Sequence, residues 1–169
     1  AARVKVGIGR YNEARLLYTS EQFKVQTDEM PEVRTVHLGI DLYMRSNTPV
    51  YAPFEGRVHS FNNNTAPLDY GPAIILEHQI EEEDGERFYT LYGHLSLDSL
   101  EDLTVGMSVA KGQSFARIGA PPTNGGWPPH LHFQIILDML GERGNFPGVT
   151  RPSAWDIWNH ICPDPNLIP

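Results

Sequence analysis

Two histidines one residue apart, His130 and His132, carry the strongest chemical signal in this chain. They open the apolar run 130–136, which has the composition of a β-strand. Because side chains at i and i+2 of a strand share a face, the two imidazoles lie side by side. Such a pair predicts a metal site, and a pair of histidines packed in a core explains it equally well.

A second group consists of His37 and Asp41 with Gly39 between them. On a strand these positions share a face, and the glycine leaves room for an ion or a substrate. Taken alone, the pattern is more often a surface pair beside a structural glycine. His94 ends another apolar run, and strand alternation places it on the same face as Tyr92. The remaining histidines have no such partner and are assigned to structure or solvent: His59, His78 and His160.

Zinc accepts imidazole nitrogen and carboxylate oxygen, and a catalytic zinc site uses three protein ligands and one water. If His37, Asp41 and one histidine of the 130/132 pair are ligands, the other histidine is left beside the metal. A spare imidazole there suits general acid/base catalysis, because its ordinary pKa is near neutrality. The presence of one more candidate residue than zinc binding requires therefore favours an enzyme.

The elements that must position these residues are short β-rich runs separated by glycine, proline, asparagine and acidic turns, which predicts an antiparallel sheet. These runs cover 36–43, 49–61, 73–78, 87–95 and 130–136. Turn residues predict a loop at 62–67, a solvated hairpin tip at 81–86 and a tight hairpin within 105–119. Near the end, residues 153–160 predict a short helix with Ser153 as its N-cap.

Composition limits the possible functions. A length of 169 residues predicts one compact domain, and the net charge of −8 argues against a nucleic-acid partner or an anionic membrane surface. The chain has no apolar run long enough to span a membrane and no secretory leader pattern. Its single cysteine, Cys162, cannot form an internal disulfide and is expected to be a small buried hydrophobe.

The order of these motifs resembles the lysostaphin-type (LytM-like, duplicated hybrid motif) zinc metallopeptidases. The hallmarks of that family are H-x-G-x-D, here residues 37–41, followed much later by H-x-H, here residues 130–132. Segments between them, including Tyr92-Gly93-His94-Leu95, occur in the order usual for the family. The resemblance covers about residues 35–137.

The resemblance implies an all-β, mainly antiparallel fold, a two-sheet β-sandwich-like barrel-sandwich hybrid, to which the sequence adds the short C-terminal helix. It also implies that His37, Asp41 and His132 bind Zn²⁺, while His94 and His130 are the catalytic imidazoles. Which of the two is the general base stays open. The implied activity is hydrolysis of peptide bonds in peptidoglycan stems or cross-bridges, so the expected partner is a peptide substrate.

The expected organisation is a lead-in segment (1–34), a metallopeptidase domain (35–150) and a short helix with a proline-rich tail (151–169). Asn47 and the segment around Trp127 depart from the family pattern, and Trp127 beside the groove is expected to narrow or redirect substrate binding. The loop 62–70 and the Trp127 segment resemble modules joined to a kinase-like domain and a class III aminotransferase. Alternatives are therefore a metal-binding, non-peptidase module of a larger polypeptide, covalently linked to neighbouring domains, and a hydrolase of small amides or esters. The location would be extracytoplasmic for a stand-alone cell-wall peptidase and cytoplasmic for a fused module. Whether the lead-in covers the groove stays open.

Overall fold

A computed structural model describes residues 6–18, 20–28, 30–80 and 85–167 of the chain. Most of its regular structure is β-strand, and the one α-helix of the described residues is α1 (Trp155–Ile161). The strands are β1 (Gly7–Gly9), β2 (Lys24–Val25), β3 (Glu32–Val33), β4 (Val36–His37), β5 (Ile40–Tyr43), β6 (Pro49–Tyr51), β7 (Gly56–Asn64), β8 (Gly71–Gln79), β9 (Arg87–Gly93), β10 (Ser108–Val109), β11 (Ser114–Arg117), β12 (His130–Ile136) and β13 (Val149–Thr150). Single 3₁₀ turns cover Glu21–Phe23, Leu97–Leu100, Pro152–Ala154 and Pro165–Leu167.

Seven strands form one antiparallel sheet in the order β1-β5-β12-β9-β8-β7-β10. Three two-stranded pairs complete the described strands: β11 with β6, β13 with β4, and β2 with β3. All of these pairings are antiparallel. The predicted all-β, mainly antiparallel class with a short C-terminal helix is therefore confirmed. The predicted second sheet consists of short pairs instead of one continuous sheet.

The large sheet is buried on both faces at its centre. In β8 the four residues 73–76 are fully buried, because alternate side chains enter two separate apolar clusters. The first cluster lies on one face and includes Val58, Ile74, Leu76, Tyr92, Leu131 and Phe133. The second lies on the other face and includes Leu38, Ile75, Leu91, Ile136, Phe146 and Cys162.

Strand β12 connects this core to the chemistry. Leu131 and Phe133 enter the first cluster, so His130 and His132 point to the opposite face of the sheet, as the i, i+2 spacing predicted. On that face β12 lies between β5 and β9, and its polar side chains are buried. The two strands on either side can therefore supply further polar groups to the same place.

One turn prediction was right only in part, since residues 65–67 do lie outside the strands, and a second was wrong. Residues 62–64 are the end of β7, because they pair with residues 71–73 of β8 and so continue the sheet. The segment 105–119 is not a hairpin, since β10 pairs with β7 and β11 pairs with β6. Long-range partners thus outcompete the local glycine turns. The predicted hairpin tip lies between β8 and β9, and residues 81–84 are outside the described residues.

The C-terminal helix exists, but the predicted cap does not. Helix α1 begins at Trp155, and the Ser153 hydroxyl donates instead to a Glu32 carboxylate oxygen at 2.7 Å. Cys162 is a free and fully buried thiol, as expected. Among the residues that the structure describes, none of the helices is both long and apolar enough to span a bilayer.

Candidate metal centre

Three strands bring together the residues of the two sequence motifs. His37 ends β4, Asp41 lies in β5, and His132 lies in β12. The pairing of β12 with β5 places His132 directly opposite Asp41. All three side chains are buried. The juxtaposition therefore depends on strand register, and a shift of one residue would turn Asp41 to the other face.

The ligand atoms of these residues converge on one point. Nε2 of His37 lies 3.0 Å from Nδ1 of His132. The Oδ1 atom of Asp41 lies 3.3 Å from the former and 3.2 Å from the latter. Bonds of about 2.0–2.1 Å in a tetrahedral zinc site separate neighbouring ligand atoms by about 3.3 Å. The triangle of atoms thus has the size that zinc requires.

The protonation of His132 is set by the residue two positions along the same strand. Nε2 of His132 lies 3.0 Å from the Gln134 side-chain oxygen. The Gln134 amide nitrogen donates to the Pro147 carbonyl at 3.1 Å and to Cys162 Sγ at 3.2 Å, which fixes the sense of the amide. Its oxygen must then accept from His132 Nε2–H. The Nδ1 atom that faces the cluster therefore carries a lone pair.

The His37 ring is hydrogen-bonded to the backbone through its Nδ1 and not through Nε2, so it is Nε2 that faces the cluster. Its Nδ1 donates to the backbone carbonyl of Arg10 at 2.9 Å, so in the neutral ring the lone pair is on Nε2. Burial lowers the pKa of His132, so this imidazole is neutral near pH 7. Nε2 of His37, Nδ1 of His132 and Oδ1 of Asp41 therefore face one another at 3.0–3.3 Å. Two imidazole nitrogens and one carboxylate oxygen are a donor set that fits a divalent metal.

Two further imidazoles lie beside this triangle. Nδ1 of His94 donates to the Asn124 carbonyl at 2.9 Å, and Nδ1 of His130 donates to the Pro128 carbonyl at 2.7 Å. The two rings are tilted against each other with centroids 4.2 Å apart. Burial lowers the pKa of His94 well below its ordinary value and also lowers that of His130, so both rings are neutral near pH 7. Each keeps an unprotonated Nε2 able to accept a proton.

The position of His94 differs from what strand alternation predicted. Tyr92 is in the first apolar cluster, and its hydroxyl bonds to Thr90 at 3.0 Å. His94 has a φ of 61°, which ends the alternation after β9 and turns its ring to the site. The shared face of Tyr92 and His94 is therefore a wrong prediction, and Tyr92 packs in the core.

Glycines make room for the side chains of the candidate metal site themselves. A Cβ at Gly39 would lie 2.8 Å from the His132 ring and 2.6 Å from the Phe133 carbonyl oxygen. The space expected for an ion or a substrate is thus filled by an imidazole. On the other side of β12, the missing side chain of Gly93 is replaced by the ring of Tyr70, which packs against His132 with centroids 5.1 Å apart.

The site opens into a cavity of about 340 Å³. Trp127 lies on it, as expected for a residue that narrows the groove, with its ring 6.1 Å from His94 and 6.4 Å from His130. Residues of the lead-in segment also line the cavity, among them Arg15, Tyr18 and Phe23. The lead-in therefore forms part of the wall of the site.

All five predicted site residues are in this one place. Of the other histidines, His78 is buried elsewhere, His160 is exposed, and His59 is partly buried beside Ser60. Among the residues that contact the site, sequence reasoning missed Arg15, Tyr43, Tyr70 and Gln134. Of these, Gln134 could have been predicted from the sequence, since it follows His132 at i+2 and so lies on the same strand face.

The model of peptidase family M23 matches residues 35–143, well over half of the chain. The chain belongs to this family, and its class is therefore that of the metallopeptidases. The family match contains the five site residues and excludes the lead-in segment.

Comparisons with individual proteins agree with this assignment. An uncharacterized metalloprotease of Haemophilus influenzae is 31% identical over 102 residues, which are 60% of this chain and 19% of that protein. The chain thus spans about a fifth of the length of this curated relative. The catalytic domain of the antimicrobial peptidase lysostaphin from Staphylococcus simulans superposes with a TM-score of 0.53 at 25% identity, over 90% of this chain and 91% of that one.

A second solved structure shows the same fold. A mutant catalytic domain of the prophage-encoded M23 protein EnpA from Enterococcus faecalis gives a TM-score of 0.52 at 19% identity, over 85% of this chain and 88% of that one. The antiparallel architecture is therefore shared with these domains.

Proposed function

We propose that the protein is a zinc-dependent metalloendopeptidase that hydrolyses peptide bonds of peptidoglycan-type peptides. His37, Asp41 and His132 are the proposed zinc ligands, and His94 and His130 are the proposed catalytic imidazoles. The observation that carries the proposal is the convergence of three buried side-chain atoms, two imidazole nitrogens and one carboxylate oxygen, at 3.0–3.3 Å. Family membership and the similarity to the lysostaphin catalytic domain support peptide-bond hydrolysis.

Zinc held by these ligands would lower the pKa of a water molecule and polarise the scissile carbonyl. The two neutral imidazoles supply the proton transfers. Nε2 of His130 lies 3.8 Å from Asp41 Oδ1, at the edge of the ligand triangle, and the ring of His94 lies against that of His130. At Nε2 one ring would accept the proton from water and then, as an imidazolium, pass it to the leaving amine; the other ring would donate to the developing oxyanion only when it is itself protonated at Nε2.

The surroundings keep this pair in position. Tyr43 stacks on His130 with ring centroids 4.9 Å apart and planes 25° from parallel. Tyr18 and Trp127 meet edge to face at 6.2 Å over the cavity. These aromatic side chains hold the imidazoles in their orientation and narrow the entrance to the cavity. A narrow entrance favours an extended peptide over a bulky folded substrate.

A turnover assay on defined peptides tests the proposal. The zinc-loaded protein is incubated with branched stems that contain D-amino acids and with oligoglycine peptides. We expect cleavage, and we expect His130→Ala to lose about 10²–10⁴-fold in kcat while zinc stays bound. His160→Ala, which changes an exposed histidine of α1, is the matched control and should keep full activity. Comparing His94→Ala with His130→Ala over a range of pH distinguishes the two imidazoles.

Failure to bind zinc would contradict the proposal. Zinc binding without cleavage of any of these peptides would favour the alternatives, a binding or regulatory module of a larger polypeptide or a hydrolase of small amides or esters. A covalent link to a class III aminotransferase remains part of the first alternative. The small share of the Haemophilus influenzae relative that this chain covers shows that such a domain can be a minor part of a longer protein.

A further inference from the structure

The Asp41 carboxylate is divided between two partners. Its Oδ1 faces the ring nitrogens of His37 and His132. Its Oδ2 accepts from Arg15 Nη1 at 2.6 Å. The Arg15 side chain is only 10% exposed, and that of Asp41 is 3% exposed, so water does not compete strongly for this bond. Oδ1 is therefore available to a metal, whereas Oδ2 is occupied by the hydrogen bond from Arg15.

A third charged group holds the guanidinium in place. The Glu13 carboxylate accepts from Arg15 Nε at 3.0 Å and lies 3.0 Å from Nη2. Burial disfavours the charge of Arg15, but the ion pair with Asp41 outweighs it and raises the pKa of the guanidinium above its ordinary value. The Glu13 charge offsets that of Arg15, which lowers the electrostatic cost of a guanidinium near a cation.

The backbone around Arg15 is built for this contact. Gly9 lies directly opposite Asp41 in the pairing of β1 with β5. A Cβ at Gly9 would lie 3.1 Å from Asp41 Oδ2 and would collide with Arg15 Nη2. The guanidinium thus fills the space that the glycine leaves open.

The same segment also supports the second ligand. Asn12 N donates to the His37 carbonyl at 2.9 Å, and His37 N donates to the Glu13 carbonyl at 3.1 Å. Arg15 N donates to the Thr35 carbonyl at 2.9 Å, and the His37 ring donates to the Arg10 carbonyl. Residues 9–15 therefore contact two ligands of the site, although they lie outside the residues matched by the family.

We propose that Arg15 is a positioning residue for the metal centre, which holds Asp41 Oδ2 so that Asp41 binds the metal through Oδ1 alone. The inference rests on the metal site of the proposed function. It implies that the family-matched residues 35–143 do not complete the centre without the lead-in segment. Hydrogen-bond partners of metal-binding carboxylates commonly affect affinity by 10–100-fold.

The test measures zinc affinity by competition with a chelator and the visible spectrum of the cobalt(II)-substituted protein. Arg15→Gln should weaken zinc binding by about 10-fold. It should also change the cobalt spectrum, because a freed Oδ2 lets Asp41 bind through both oxygens and raises the coordination number. Gly9→Ala, which displaces the guanidinium, should change affinity and spectrum in the same direction. Arg15→Lys should restore part of the affinity.

Arg87→Gln is the matched control, since Arg87 also pairs with a carboxylate, that of Glu77, but is exposed and lies outside the site. It should leave affinity and spectrum unchanged. Unaltered zinc affinity and an unaltered cobalt spectrum in Arg15→Gln would overturn the inference while leaving the metal site intact. A gain in affinity or in peptide turnover would also overturn it, because Arg15 would then be an obstruction of the site. A wild-type protein that binds no metal would contradict the proposed function itself.

Discussion

His78 and the four histidines of the candidate metal centre are all buried, but their rings are hydrogen-bonded differently. His78 is 2% exposed, its Nδ1 bonds to the Glu55 carbonyl at 2.6 Å, and its Nε2 bonds to Thr90 Oγ1 at 2.7 Å. The ring also stacks on Phe88 with centroids 4.8 Å apart. Both nitrogens are satisfied within the protein, and the ring is a structural part of the core.

Each histidine of the candidate metal centre has only one nitrogen fixed in this way. In His37, His94 and His130 a backbone carbonyl accepts from Nδ1, and in His132 the Gln134 side chain accepts from Nε2. The other nitrogen of each ring faces the site. Burial alone thus does not distinguish a functional histidine from a structural one. The surroundings of the second ring nitrogen do distinguish them, because it bonds to a core side chain in His78 and faces the site in the other four.

The largest effect is expected from the ligands. His37→Ala removes one of three donor atoms, and we expect zinc affinity to fall by more than about 100-fold. Chelator competition measures the affinity, and His160→Ala, which changes an exposed histidine, is the control. Wild-type affinity in His37→Ala would show that this nitrogen does not face a metal.

The opposite pattern is expected at His78. His78→Leu leaves the Glu55 carbonyl and the Thr90 hydroxyl without their ring partner, which should lower the free energy of unfolding by about 1–3 kcal/mol. Denaturant unfolding measures this loss, and metal stoichiometry should stay at the wild-type value. A loss of metal binding in a folded His78→Leu protein would contradict the distinction between His78 and the other four.

A smaller effect on metal affinity is expected at Gln134. Gln134→Leu removes the acceptor that keeps the proton on His132 Nε2, so zinc affinity should fall by about 10-fold. The ¹⁵N shifts of the His132 ring, measured by NMR, should show a mixed tautomer in the metal-free variant. Gln113→Leu changes an exposed glutamine and should alter neither quantity. An unchanged tautomer would mean that Gln134 does not set it.

The smallest effect concerns pH. Burial lowers the pKa of His78 from 6.5, so the folded state holds this ring neutral where the unfolded state would protonate it. The stability that His78 contributes is therefore complete above about pH 6.5 and is lost as the pH falls through its folded-state pKa. The unfolding free energy that His78→Leu costs should accordingly be larger at pH 8 than at pH 5. An equal cost at both pH values would contradict this.

Sequence patterns predicted the parts of the molecule that depend on local periodicity. The i, i+2 spacing placed His130 and His132 on one face, and the alternation of residues in β12 is observed. His94 could not be placed in this way, because its positive φ interrupts the alternation. The hairpin expected within 105–119 was wrong because β10 and β11 each pair with a distant strand.

Long-range contacts account for what the sequence did not reveal at the site. Arg15 reaches Asp41 across 26 positions, and nothing in the residues around Arg15 marks it as a partner of a carboxylate. Tyr70 lies 62 positions from His132 and fills the space beside Gly93. Such contacts depend on strand register and chain crossing, which single-sequence patterns do not encode.

Metal content is the most direct test of the metal centre. The full chain is purified without chelator, supplied with zinc, dialysed and analysed for bound metal by mass spectrometry. We predict about one zinc per chain for the wild-type protein and for His78→Leu, and none for His132→Ala, with all three proteins folded by circular dichroism. A wild-type protein without zinc, or a folded His132→Ala protein that keeps it, would contradict the assignment of this site.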